Sequence, residues 1–82
     1  MASNKNGVAA LIERLPQNIV TRVEEMRKEY KRTKDAWHSG SEAAWAHSQT
    51  LRAKHHAYAT ALMDGGVITD YERKELQCYL NL

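Results

Sequence analysis

The segments IVTRVEEMRKEYKRTKDAW (Ile19–Trp37) and AWAHSQTLRAKHHAYATAL (Ala44–Leu62) carry the same 4-3-4-3-4 spacing of core-type positions. In the first these are Ile19, Val23, Met26, Tyr30, Thr33 and Trp37; in the second Ala44, Ser48, Leu51, His55, Tyr58 and Leu62. Alternating steps of four and three keep one edge of a helix turned toward a partner helix. Only a few residues, centred on His38-Ser39-Gly40-Ser41, separate the segments, so they predict a long antiparallel helical hairpin.

Working outward, Val8, Leu11, Ile12 and Leu15 mark a short first helix over about residues 6–14, and Pro16 ends it. Proline suits the first turn of the next helix, where no backbone donor is needed, so Leu15-Pro16 reads as a corner. The second helix is expected over 16–38, the third over 41–63 and the fourth over 69–80. Gly40 offers the left-handed backbone that closes the second helix, and Ser39 or Ser41 offers a cap for the third. Gly65-Gly66 stops the third helix, Val67 and Ile68 return to the core, and Thr69 with Glu72 forms a capping box. The fold class is all-α, a single-domain bundle of three to four helices spanning 1–82.

The third helix is expected at the centre. Besides its seam it has a small-residue side, Ala46, Thr50, Ala53, Ala57 and Thr60, and a side with Trp45, Ala59 and Met63. The first and fourth helices are expected to cover two of these; an uncovered small-residue side would serve a partner or a homodimer contact.

A chain of 82 residues has room for one thin core, and a stability of roughly 5 kcal/mol is expected. Cys78 is the single cysteine, which excludes an internal disulfide and suits an unoxidised compartment. Residues 1–6 lack the apolar run of a signal peptide, and no stretch approaches the roughly 18 apolar residues of a membrane span. The chain therefore reads as cytoplasmic, with no membrane contact. Twelve Lys and Arg against ten Asp and Glu give a net charge of +2, too balanced to demand an anionic partner.

His38, His47, His55 and His56 lack metal spacing. No His-x-x-x-His pair occurs, and His47 and His55 are about 12 Å apart along a helix. His55 lies in the seam, where a hydrogen-bonded structural imidazole is expected. No nucleophile, carboxylate pair or glycine-rich phosphate loop is evident, so neither catalytic residues, cofactor nor metal is assigned. The stretch from Gly66 to Glu72 matches the second half of a calcium-binding loop, but Ala61, Met63 and Gly65 fall where the early oxygen ligands belong.

Leu62, Gly66, Ile68, Thr69, Tyr71 and Glu72, with Leu76 following, give this region a pattern that resembles the short C-terminal helical-hairpin module of many bacterial proteins. The resemblance implies a bacterial or phage source and no particular activity.

The strongest candidate for function is the basic run from Arg27 to Lys34. Arg27, Lys31 and Lys34 gather beside the core edge, and Lys28 and Arg32 point outward. Pairs Glu24–Lys28, Lys31–Asp35 and Glu29–Arg32 are spaced for ion pairing, as on an ordinary solvated helix. Trp37 and Trp45 flank the hairpin link, as a structural clasp or with one as an interface anchor. The expected function is a non-enzymatic interaction protein (inhibitor, adaptor or assembly factor) that docks onto a protein through Arg27, Lys28, Lys31, Arg32, Lys34 and Trp37. The alternative is a nucleic-acid-binding regulator using the same cationic side, with dimerisation through Ala46, Ala53 and Ala57.

Overall fold

The computed structural model describes residues 7–81 and contains four helices: α1 (Gly7–Arg14), α2 (Gln17–His38), α3 (Glu42–Asp64) and α4 (Asp70–Leu80). Helices α2 and α3 form the long hairpin and share the largest interface; α4 packs on α3 and, less extensively, on α2. Helix α1 packs on α4, a correction to the expectation that it would cover a side of α3. The body measures 44 × 31 × 21 Å. Asn6, expected to open the first helix, lies outside the described residues.

Local chemistry sets each boundary. Pro16 is the N-cap of α2, and its carbonyl accepts from the Ile19 and Val20 amides, both at 3.0 Å. At the hairpin link Gly40 adopts φ +104°, its amide donates to the Trp37 carbonyl at 2.9 Å, and the Ser41 amide reaches the Ala36 carbonyl at 3.2 Å. Ser41 Oγ then accepts from the Ala44 amide at 3.0 Å and caps α3. The other link turns at Gly66, φ +76°. There the Thr69 amide donates to Glu72 Oε1 at 2.8 Å and the Glu72 amide to Thr69 Oγ1 at 3.1 Å, completing the capping box.

The apolar core lies at one end of the hairpin. Leu11, Leu15, Val23, Ala59, Ile68, Leu76 and Leu80 form one buried cluster, with Ile19, Met26, Leu62 and Tyr79 among the residues packed against it. Each fully buried leucine there contributes about 2 kcal/mol of transfer free energy. Toward the hairpin link the seam continues through Tyr30 and Leu51 to Thr33 and Ser48, all buried. Ser48 Oγ donates to the Trp45 carbonyl at 2.6 Å, so its hydroxyl is satisfied inside the seam.

His55 marks where α4 stops covering the hairpin. It is 1% exposed, its Nδ1 lies 2.7 Å from Asn81 Oδ1, and its ring meets Tyr30 edge-on with centroids 5.5 Å apart. The expected structural imidazole is thus hydrogen-bonded to the residue just beyond α4. Trp45 precedes His55 by about 15 Å of helix and is 48% exposed. The last turns of α2 and the first of α3 therefore project beyond the four-helix base as a two-helix arm. The small side of α3 is open as well, with Ala46, Thr50, Ala53 and Ala57 all exposed.

Candidate functional site: the projecting arm and its basic ridge

The basic run of α2 divides into two groups. Arg27 is half-buried: its Nε donates to the Tyr79 carbonyl at 3.2 Å, and its guanidinium carbon stands 4.3 Å above the Tyr79 ring. This residue ties α2 to α4, so its place is in the scaffold. Lys34 is half-buried as well, with its ammonium 5.7 Å from the Tyr30 ring centroid. Lys28, Lys31 and Arg32 are exposed.

The ion pairs expected along this run do not form. Glu24 instead accepts from the Tyr79 hydroxyl at 2.7 Å, and Glu29 lies 3.4 Å from His47 Nε2 across the seam. Burial, and then the Glu24 hydrogen bond, push the Tyr79 phenol pKa up, so this hydroxyl keeps its proton and acts as donor. With Glu24 and Glu29 drawn elsewhere and Asp35 making no ion pair with Lys31, the cations Lys28, Lys31 and Arg32 have no acidic partner among the described residues. Sequence spacing alone missed this, because the competing partners, Tyr79 and His47, lie on other helices.

Trp37 is half-buried near the end of α2, its ring tilted against His38 with centroids 5.1 Å apart. The two indoles do not close into a clasp. Instead Trp37 and Trp45 border an open cleft of about 610 Å³, completed by Gly40, Ser41 and Glu42. A second, smaller depression of about 240 Å³ lies among Glu24, Arg27, Lys28 and Lys31. Trp45 and Glu42 are therefore contact candidates beyond the basic run. The visible signal for Trp45 was its position off the 4-3-4 seam, on a side of α3 that α4 is too short to reach.

Elsewhere, polar groups serve the scaffold. Arg14 Nη2 pairs with Glu72 Oε1, Arg14 Nε donates to Glu72 Oε2 at 3.2 Å, and Arg14 Nη1 donates to the Val67 carbonyl at 3.2 Å, locking α1 to the start of α4. Both Glu72 oxygens are thereby engaged, which removes the acid from the calcium-like pattern. The Arg14 hydrogen bond and the capping amide of Thr69 hold the Glu72 carboxyl below the ordinary glutamate range. Among the described residues no three His, Cys, Asp or Glu side chains converge to hold a metal ion, and no helix is long and apolar enough to cross a membrane. Cys78 is exposed and unbridged. His56 Nδ1 lies 2.8 Å from Gln77 Nε2, a further α3–α4 tie.

The fold and surface define a small all-α bundle with a projecting hairpin arm. No family model, curated protein or solved structure matches the chain.

Proposed function

We propose that this chain is a non-enzymatic docking module, of the kind that works as an inhibitor, adaptor or assembly factor, and that it binds a protein partner through the arm. The observation that carries the reading is the ridge of Lys28, Lys31 and Arg32, exposed and without acidic partners, beside an arm that presents Trp45 at 48% exposure. Arginine and tryptophan are favoured interface anchors, and a cationic rim steers an acidic surface into place. Arg27 and Lys34 shape this surface from beneath.

The test is a charge reversal that spares the scaffold. K28E/K31E/R32E should abolish capture of the partner from the native host, and W45A should weaken it, with helical circular dichroism unchanged. Capture that survives the triple reversal refutes the ridge as the docking surface.

The same unneutralised cations support a second reading, binding to nucleic acid. Such binding would weaken steeply as salt rises through counterion release, whereas an interface anchored by Trp45 would change little. Absence of a gel-shift complex with mixed DNA and RNA at low salt eliminates it.

A further inference from the structure

A cleft of about 360 Å³ opens between α2 and α3, lined by Arg22, Met26, Glu29, Leu51, Lys54, His55 and Tyr58. Its chemistry differs from that of the basic ridge. Leu51 is 3% exposed and Met26 half-buried, giving an apolar floor. Arg22 from α2 and Lys54 from α3 are exposed and stand on opposite walls. Neither has an ion pair among the described residues. The one carboxylate, Glu29, is directed to His47.

His55, in the same lining, is the buried polar residue of the cleft. Its Nε2 is the one buried side-chain nitrogen or oxygen without a hydrogen-bond partner among the described residues. Leaving such an atom unmatched is costly. Turning the Asn81 amide exchanges oxygen for nitrogen at Nδ1 and shifts the ring proton to Nε2, so His55 can offer a donor as readily as an acceptor. Burial raises the Tyr58 phenol pKa and the nearby positive charge of Arg22 opposes that rise, which sets Arg22 beside Tyr58.

We infer that this cleft binds a small amphipathic carboxylate, its apolar body on Met26, Leu51 and Tyr58 and its charged head between Arg22 and Lys54. Two cations on opposite walls select a single anionic head, and the apolar floor rejects a fully hydrated anion. The ligand is a free molecule, because the cleft has the volume of a small-molecule site rather than the breadth of a membrane-contact face.

The test uses the full chain, amide-detected NMR and three probes: octanoate, octanol and inorganic phosphate. Octanoate should give saturable shifts at Met26, Leu51, His55 and Tyr58, and octanol and phosphate should each bind at least about tenfold more weakly. R22Q/K54Q changes exposed side chains only, keeps the helical circular dichroism, and should weaken octanoate about tenfold. E29Q removes a repelling charge and should tighten it by about threefold. Octanol or phosphate binding as tightly as octanoate, unsaturable or absent octanoate shifts, shifts centred on Trp37 and Trp45, or full affinity in R22Q/K54Q would each overturn the assignment.

Discussion

The Arg27 guanidinium lies over the Tyr79 ring at 4.3 Å and at the same time donates to the Tyr79 carbonyl at 3.2 Å, so one side chain joins the middle of α2 to the last turn of α4. Tyr79 returns the contact through its hydroxyl, which donates to Glu24 one turn earlier on α2.

From this clamp, Arg27→Ala should lower stability by about 1.5 kcal/mol, the sum of a cation–π contact and a carbonyl hydrogen bond. Arg27→Lys should recover only part of it, since an ammonium lacks the guanidinium fork. Lys31→Ala, at an exposed position, should stay within about 0.5 kcal/mol of the parent. Urea midpoints at constant slope measure all three; equal losses for Arg27→Ala and Lys31→Ala would deny the clamp.

His55→Ala should cost about 3 kcal/mol, because it opens a cavity where the ring is 1% exposed and breaks the Asn81 bond. His55→Leu refills the space and removes the unmatched Nε2, so it should lie within about 1 kcal/mol of the parent. Thermal melts of the pair decide whether shape or polarity holds this position. A leucine variant as unstable as the alanine one would assign the role to the hydrogen bond.

Acid should loosen the junction between α1 and α4. The folded-state pKa of Glu72 is held below its ordinary value of 4.5, chiefly by Arg14. Its contribution is therefore complete above the unfolded carboxylate range and disappears as pH falls through the lower folded value. Both partners are well solvated, so the effect is small. Glu72→Gln should flatten this part of the stability profile between neutral pH and pH of about 3; a parent-like acid slope in that variant would place the sensitivity elsewhere, with Asp70 and its Arg73 partner the next acid to test.

Gly40→Ala should cost about 1 kcal/mol, since φ +104° is unfavourable for any residue with a β-carbon. The added carbon would meet nothing within 4 Å, so the loss is purely conformational. A thermal melt equal to that of the parent would show that the link relaxes to another turn.

Much of the architecture was legible because it depends on near neighbours. The seam spacing, Gly40, Gly66 and the Thr69–Glu72 box each act within a turn or two, and the four helices follow from them. What was not legible depends on residues distant in sequence. Arg27 belonged to the expected docking surface by its position on a helical wheel, yet Tyr79, on another helix, claims it. Likewise Glu24 and Glu29 have local basic neighbours at favourable spacing, and cross-helix partners win both. The covering of α3 was misjudged for a related reason: Leu11 and Leu15 bury in one cluster with Leu76 and Leu80, which seats α1 on α4.

The change along the seam from Val23 and Leu51 to Thr33 and Ser48 also divides the molecule energetically. The buried seam positions themselves turn small and polar at Thr33 and Ser48, so amides there should exchange with solvent through partial opening while those around Val23 and Ala59 wait for global unfolding. Such graded breathing would let the outer end change shape without loosening the base.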